Sequence, residues 1–187
     1  MAEYVLEDFV IIRNFTEHCA ALLEMVHNPR EGEIVEMSDR CYNFFTRHVI
    51  DGGSQDSEED QIILAYSQGI ADALKKVFDF DAVVNNALPA VVYPEGCGMG
   101  LHDDLYHNSD DPDKRENVHV FSSVHYLNDD YDGGELVFPD IDTTITPEEN
   151  MMLLFACHYK HRGNPATNGI KVSSTKFWRD KNADSAV

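Results

Sequence analysis

The pattern of apolar residues changes near residue 88. Before this point, two segments carry apolar residues at every third or fourth position, whereas after it short apolar runs alternate with turn residues. Apolar residues at helical spacing form one face of an amphipathic helix, and short runs bounded by Gly, Pro, Asn or Asp are typical of strands. The pattern therefore predicts two helices followed by a mainly β region.

Residues 1–80 are predicted to form one strand and the two helices. Tyr4 to Ile12 has the composition of a strand, and Asn14-Phe-Thr-Glu17 has the form of a helix start. Polar residues 28–40 are expected to be irregular. Ser57 follows a Gly- and acid-rich stretch and is the expected N-cap of the second helix.

Each predicted helix has one apolar stripe. The stripe residues are Cys19, Leu22, Leu23 and Val26 in the first helix and Ile63, Tyr66, Ile70, Leu74 and Val77 in the second. Neither helix carries an obvious chemical group, so we expect both to pack against a sheet.

Five strands are predicted in the second half of the chain. They cover residues 118–128, 135–138, 150–156, 158–163 and 170–178. Their short length and even spacing fit a jelly roll. With 187 residues, of which 43% are hydrophobic, the chain is long enough for one domain. We expect a single domain over residues 1–187, with the strand and helices in 1–80 and a jelly-roll core over about 88–178.

Composition narrows the classes of partner. The longest apolar run, Met151 to Cys157, is too short to span a bilayer, and the N-terminus lacks the features of a signal peptide. We therefore expect a soluble, cytoplasmic protein with no membrane partner. The formal net charge of -20 repels phosphate backbones and disfavours a nucleic-acid substrate. The same acidity either serves solubility alone or attracts a basic partner, and the sequence leaves both readings open.

The four cysteines do not point to a metal or disulfide site. Cys19, Cys41, Cys97 and Cys157 fall at no metal-binding spacing. Without a secretion signal they are expected to stay reduced. We interpret them as small hydrophobic residues rather than as nucleophiles.

Three residues carry the main chemical hypothesis. His102 and Asp104 form a His-x-Asp doublet, and His161 lies in a later turn-rich segment. Two imidazoles and one carboxylate on one face of a metal, with other positions left open, are the ligand set of non-haem Fe(II) oxygenases. His158 competes with His161 for the distal position. Ten residues beyond His161 stands Lys171, whereas ten residues beyond His158 stands Asn168, which carries no charge and cannot neutralise a carboxylate. We therefore predict that His161 is the ligand.

A lysine follows the distal histidine at a fixed distance. Lys171 lies ten residues after His161, at the start of a strand rich in β-branched and aromatic residues. A cation buried in a barrel is costly without an anionic partner. A dicarboxylate cosubstrate would supply that partner.

These features occur in a recognisable order. They are Tyr93, the His102-x-Asp104 doublet, Tyr126-Leu-Asn, Gly133-Gly-Glu-Leu-Val-Phe-Pro139, the hydrophobic strand Met151 to Ala156, and a distal block with Pro165, Gly169 and Lys171. From about Leu88 to Trp178 the chain resembles an Fe(II)- and 2-oxoglutarate-dependent dioxygenase of the prolyl 4-hydroxylase type. The resemblance implies a double-stranded β-helix, or jelly-roll, core with N-terminal supporting helices.

The resemblance also implies roles for individual residues. His102, Asp104 and His161 would bind Fe(II). Lys171 would pair with the far carboxylate of 2-oxoglutarate, helped by the hydroxyl of Tyr126 and by Ser173 or Thr175, while Tyr93 would line the same pocket. Positions 171, 173 and 175 share one face of a strand, which agrees with this grouping.

The implied reaction is hydroxylation of an unactivated C–H bond. It consumes O2 and 2-oxoglutarate, and a use of ascorbate is left open. Asp104 fills the position that related halogenases leave open for a halide, so the resemblance favours hydroxylation over halogenation. Two residues depart from the family pattern: Val172 stands where an aromatic residue is common, and Phe177 precedes Trp178 where a single Trp is common. Both departures concern the substrate side more than the iron.

The substrate remains open at this point. A prolyl or similar residue of a peptide or protein matches the motifs first, and a free amino acid or small metabolite is the alternative. The alkylation-repair branch fits poorly, because it uses Arg at the position of Lys171 and a second Arg where this chain has Phe177. Arg115 and Trp178 are placed either against substrate or on the surface.

A second hypothesis comes from a different class of protein. A non-catalytic, cupin-like binding module would have the same fold, but it would not need Lys171. The other histidines near the motifs (His107, His119 and His125), together with Glu95 and Asp103, are interpreted as structural or solvated. Acidic residues 103–113 are either a lid over the metal or a solvated loop.

Overall fold

The computed structural model describes residues 2–36, 41–49, 57–106 and 119–181. These residues form two α-helices, α1 (Cys19–His27) and α2 (Glu58–Phe78), one 3-10 helix (Pro139–Ile141) and fourteen strands. The strands are β1 (Ala2–Leu6), β2 (Phe9–Ile12), β3 (Ile34–Glu36), β4 (Asn43–His48), β5 (Ala87–Tyr93), β6 (Met99–His102), β7 (Phe121–Tyr126), β8 (Asp132–Gly133), β9 (Leu136–Phe138), β10 (Thr143–Ile145), β11 (Met151–Ala156), β12 (His161–Gly163), β13 (Ala166–Thr167) and β14 (Lys171–Trp178). The predicted mainly β fold with N-terminal helices is confirmed.

The strands form a large sheet, a smaller sheet and a short ribbon. The large sheet has eight strands in the order β1-β2-β11-β7-β14-β5-β4-β3. The smaller sheet has four strands in the order β10-β9-β12-β6, and β13 pairs with β8. Some neighbours in the large sheet are consecutive strands, such as β1 and β2, but others are far apart in the chain, as when β14 pairs with both β7 and β5.

Two apolar cores lie on opposite faces of the large sheet. One contains residues of both helices and side chains such as Leu154, Val172 and Trp178. The other joins the large sheet to the smaller one through residues such as Phe9, Phe138 and Phe155. The helices therefore support one face of the large sheet, and the smaller sheet covers part of the other.

The second helix follows the sequence prediction closely. Ser57 is its N-cap, and the Ser57 hydroxyl accepts a hydrogen bond from the Asp60 backbone N–H at 3.1 Å. Ile63, Tyr66 and Ile70 are buried. The helix ends at Asp79, whose left-handed φ of 52° stops the helical repeat.

Three local predictions for the N-terminal region are wrong. Tyr4 to Ile12 is a hairpin of β1 and β2 rather than one strand, because the polar pair Glu7-Asp8 forms a turn. The first helix begins at Cys19 rather than near Asn14, which has a left-handed φ of 51°. Residues 28–40, predicted as irregular, contain the exposed edge strand β3, which pairs with β4.

Other predictions concern residues that fall partly outside the described ranges. Of the acidic segment 103–113, only residues 103–106 are described, and His107 and Arg115 lie outside the described residues. Within the described ranges, neither α-helix is long and apolar enough to cross a membrane.

A buried lysine connects the large sheet to α2. Lys176 is 4% exposed, and its Nζ donates hydrogen bonds to the Ser67 hydroxyl at 2.7 Å and to the backbone oxygens of Asn85 at 2.7 Å and Ala87 at 3.1 Å. Burial lowers the pKa of Lys176 to about 7. The sequence analysis did not single out this residue.

Lys176 should make the stability of the fold depend on pH. Between its folded pKa of about 7 and the ordinary value of 10.5, the unfolded chain holds a proton that the folded chain has released. Stability therefore rises with pH over this interval, and the Lys176→Met variant should lack that rise. Urea unfolding followed by circular dichroism at about pH 6 and about pH 9 measures both slopes. A stability difference between the two proteins that stays constant with pH would contradict the prediction.

Candidate metal centre

The three predicted ligands meet at the edge where β6 and β12 pair. His102 ends β6, His161 begins β12, and the two residues lie directly opposite each other in the antiparallel register. Asp104 follows β6 by two residues. One ligand atom from each side chain can be chosen so that all three lie within 4.8 Å of one another. This group could hold one metal ion.

Both histidines are oriented by backbone carbonyls. His102 Nδ1 lies 2.8 Å from Gly100 O, and His161 Nδ1 lies 2.9 Å from Tyr159 O. A carbonyl accepts hydrogen bonds only, so each neutral ring must carry its proton on Nδ1. The Nε2 lone pairs are left free, and they face the Asp104 carboxylate at 3.5 Å from His102 and 3.7 Å from His161.

Asp104 is held through both its backbone and its side chain. Its N–H donates to Cys157 O at 3.0 Å, and its Oδ2 accepts a hydrogen bond from the Ser122 hydroxyl at 2.6 Å. The carboxylate is 5% exposed. Burial alone would raise the pKa of Asp104, but the nearby His102 and His161 rings, when protonated, and the hydrogen bond from the Ser122 hydroxyl bring it below its ordinary value.

The protonation states of Asp104 and His161 suit metal binding. The neighbouring Asp104 carboxylate raises the pKa of His102, so His102 must lose a proton to bind a metal, whereas burial lowers the pKa of His161. Asp104 is therefore an ionised carboxylate, and His161 favours the neutral form. Metal ligands must be in these deprotonated states.

Lys171 lies in the same cavity as the three ligands. Its side chain is 4% exposed, and Nζ donates a hydrogen bond to Gly134 O at 2.7 Å. Nζ also lies 5.2 Å from the ring centre of Tyr93 and 5.3 Å from that of Tyr126. Burial lowers the pKa of Lys171 to about 8, opposed by the charge of Glu135. Among the described residues, no carboxylate oxygen lies within 4.0 Å of this nitrogen.

Gly134 allows this close approach. Its φ is +69°, and a Cβ there would lie 2.8 Å from Tyr131 Cε2 and 3.1 Å from Lys171 Cδ. A larger residue would be strained and would also displace the lysine stem.

The cavity around Lys171 contains a buried cation and a hydroxyl group that can bind an anion. Its volume is about 500 Å³, and its walls include all eight predicted site residues: Tyr93, His102, Asp104, Tyr126, His161, Lys171, Ser173 and Thr175. The hydroxyl of Tyr126 is buried and has no hydrogen-bond partner among the described residues. A buried cation and an unpartnered donor facing one cavity provide the chemistry that binds an anionic oxygen group.

Other predicted candidates lie outside the group of three ligands. His158 and Glu95 are exposed, and Asp103 is half-buried. His125 is fully buried against Phe15 and Tyr66 on the helix side of the sheet. His119 borders the cavity and stacks on Phe177, with ring centres 5.1 Å apart.

The structure decides two further points. Trp178 is 1% exposed, so its surface placement is wrong. Ser122, which the sequence analysis missed, touches Asp104. The spacing of Ser122, Val124 and Tyr126 on one strand could have identified it, because residues two positions apart share a face of the sheet and Tyr126 was already assigned to the site.

The comparison with protein families agrees with this geometry. Residues 88–179, about half of the chain, match the family described as the 2OG-Fe(II) oxygenase superfamily. The match contains all eight predicted site residues. No sequence among the curated proteins matches the chain.

Solved structures show the same fold at low sequence identity. A viral collagen prolyl hydroxylase from Paramecium Bursaria Chlorella virus-1, in complex with 2OG, is 17% identical with a TM-score of 0.66, covering 92% of this chain and 96% of that one. A Pseudomonas putida prolyl-4-hydroxylase is 19% identical with a TM-score of 0.68, covering 93% of each chain.

A third structure contains a peptide. It is a Trichoplax adhaerens prolyl hydroxylase in complex with a hypoxia inducible factor oxygen degradation domain peptide fragment. It is 18% identical with a TM-score of 0.64, covering 96% of this chain and 86% of that one. These similarities confirm the predicted jelly-roll core.

Proposed function

We propose that this chain, which belongs to the 2OG-Fe(II) oxygenase superfamily, hydroxylates an unactivated C–H bond of a prolyl or similar residue in a peptide or protein. His102, Asp104 and His161 would hold Fe(II), and Lys171 would hold 2-oxoglutarate. One juxtaposition supports this proposal: three metal-ligand side chains and a buried, uncompensated lysine line one cavity.

The donor set fits Fe(II). Two imidazole nitrogens and one carboxylate occupy one side of a metal and leave the other positions open for cosubstrate and O2. The hydrogen bonds from each Nδ1 to a backbone carbonyl fix the rings so that both Nε2 atoms serve as ligands. An ionised Asp104 supplies one negative charge to the ion.

The other part of the cavity fits 2-oxoglutarate. One carboxylate of the dicarboxylate would neutralise Lys171, and the Tyr126 hydroxyl would gain a partner. Ser173 and Thr175 lie on the same face of β14 as Lys171 and add hydroxyls along the cavity. Tyr93 would cover the lysine through its ring face.

Bound Fe(II) and 2-oxoglutarate supply the oxidising chemistry, in which 2-oxoglutarate and O2 become succinate and CO2 and one oxygen atom enters the substrate C–H bond. The residues of this chain bind and orient the reactants. Asp104 would occupy a coordination position that would otherwise be open to a halide, which supports hydroxylation over halogenation. A requirement for ascorbate stays a prediction.

A prolyl substrate is supported by the cavity wall and by the similar structures. Part of the wall is apolar or aromatic and includes Phe44, Pro89 and Phe177. An apolar ring is a suitable guest for such a surface. The three similar structures are named as prolyl hydroxylases, and one contains a peptide. A free amino acid or small metabolite is the alternative substrate.

The first prediction from this proposal concerns the metal ligands. His102→Ala, Asp104→Ala or His161→Ala should abolish iron-dependent succinate formation, because each variant removes one of three protein ligands. His158→Ala should retain most activity, since His158 is exposed and outside the ligand group. Succinate release is measured by mass spectrometry. Activity lost with His158→Ala and kept with His161→Ala would reverse the assignment.

The second prediction concerns the cosubstrate. Removing one partner of a buried ion pair costs about 3 to 5 kcal/mol. Lys171→Ala should therefore raise the 2-oxoglutarate concentration needed for half-maximal binding by about two orders of magnitude or more. Iron should stay bound. Exposed Lys160 offers the control variant Lys160→Ala, which should bind 2-oxoglutarate like the wild type.

Binding is followed anaerobically through the weak visible charge-transfer band expected for Fe(II) with 2-oxoglutarate. An unchanged 2-oxoglutarate affinity in Lys171→Ala would place the dicarboxylate elsewhere. A wild type that binds iron without any response to 2-oxoglutarate would support the non-catalytic binding module.

The third prediction concerns the substrate. A protein of net charge -20 attracts cationic ligands, and salt screens this attraction over about 10 Å at 0.1 M. Proline-containing peptides with basic flanks should therefore be hydroxylated faster than acidic ones at low salt, with a smaller advantage at high salt. A gain of one oxygen is read by mass spectrometry. Hydroxylation of free amino acids with no gain on any peptide would favour the alternative substrate.

A further inference from the structure

We infer that Ser122 is a positioning residue for the metal: its hydroxyl fixes the rotation of the Asp104 carboxylate so that the carboxylate faces the two histidines. This inference rests on the proposed function, because it assigns Asp104 to a bound metal ion. It adds a residue that lies outside the three ligands and outside the cosubstrate site.

Asp104 needs this support more than the histidines do. His102 and His161 belong to two paired strands and lie opposite each other. Asp104 lies beyond the last residue of β6, so no strand pairing holds its backbone. Its backbone N–H donates a hydrogen bond to Cys157 O at 3.0 Å, which docks it against the end of β11. That bond places Cα but leaves the carboxylate free to rotate.

The side chain of each of the three candidate ligands has a hydrogen-bond partner in addition to the groups that it turns toward the other two ligands. The partners are Gly100 O for His102, Tyr159 O for His161 and the Ser122 hydroxyl for Asp104. The first two belong to the backbone. Of these three partners, Ser122 is the one that uses its side chain. It is therefore the one that a substitution can remove.

The Ser122 hydroxyl is itself fixed in direction. Ser122 is fully buried on β7, and Cys157 Sγ lies 3.2 Å from its oxygen. Because the ionised Asp104 carboxylate only accepts, the Ser122 O–H must donate to it, and the Cys157 S–H is then the donor to Ser122. Cys157 thus supports Asp104 twice, through its backbone oxygen and through the thiol behind Ser122.

A buried serine can also be a simple packing residue, and the next residue on the strand distinguishes the two roles. Ser123 is 1% exposed and points to the opposite face of β7. Its hydroxyl accepts a hydrogen bond from Trp178 Nε1 at 2.9 Å and lies 3.4 Å from Lys176 O. Ser122→Ala and Ser123→Ala therefore remove the same atom from adjacent buried positions, but only the first touches a candidate ligand.

The test is an anaerobic titration of each metal-free protein with Co(II), without 2-oxoglutarate, followed by visible absorption. Loss of a partner behind a metal ligand typically weakens metal binding by about 10 to 100-fold. We expect Ser122→Ala to raise the apparent Kd for Co(II) by at least about tenfold. Ser123→Ala should stay within about threefold of the wild type. Ser122→Thr keeps the hydroxyl and should recover most of the affinity.

A second measurement separates metal binding from folding. The melting temperature of each metal-free variant reports its stability, and the rise on adding Co(II) reports its metal affinity. Ser122→Ala should show a smaller rise than Ser123→Ala even if both metal-free proteins are equally destabilised.

The outcomes separate this inference from the proposed function. A wild type that binds neither Co(II) nor Fe(II) would overturn the proposed function itself. A wild type that binds Co(II), with Ser122→Ala and Ser123→Ala equal in affinity, would overturn the positioning role alone. Equal losses in both serine variants would likewise assign Ser122 to packing.

Discussion

The antiparallel register of β6 and β12 is the constraint on which the candidate centre depends. It brings His102 and His161 opposite each other, although they are 59 residues apart in the chain. The strands can approach this closely because residue 98, just before β6, is a glycine. A Cβ at this position would lie 2.5 Å from Gly163 O at the end of β12 and would clash with it. A slip of one residue would turn one imidazole to the other face of the sheet. The two rings would then no longer share a metal ion.

The cost of burying Lys171 ties stability to ligand binding. The cation has a carbonyl partner and two aromatic rings but, among the described residues, no carboxylate in contact. Such a site is unfavourable when empty and favourable when an anion enters. If Lys171 holds the cosubstrate as proposed, it reduces the stability of the empty protein and raises the affinity for the anion, as is common at functional sites. Tyr126, whose buried hydroxyl has no hydrogen-bond partner in the described parts of the chain, adds a second group that an anion would satisfy.

The sequence correctly predicted the residues that belong to short patterns of neighbouring positions. The His102-x-Asp104 doublet, the ten-residue step from His161 to Lys171 and the Ser57 cap all follow from short patterns, and the structure brings the first four residues to one cavity. Beyond the grouping that the family resemblance implied, it did not predict contacts between distant segments. Ser122 touches Asp104 across 18 residues only because β7 passes behind the loop after β6. The single-domain assignment for 1–187 and the cytoplasmic location stay predictions.

The two buried lysines of β14 show how far strand periodicity alone can be used. Positions 171, 173 and 175 alternate with 172, 174 and 176 along the strand. Lys171 donates to Gly134 O beside the candidate ligands, whereas Lys176, which also lines part of the cavity, donates to Ser67 on α2. Applied to both residues, this rule would have identified Lys176 as a second buried cation with a structural role. Because both residues are lysines, their charge does not distinguish their roles. Their odd and even positions on the same strand place them on opposite faces, and this difference does distinguish them.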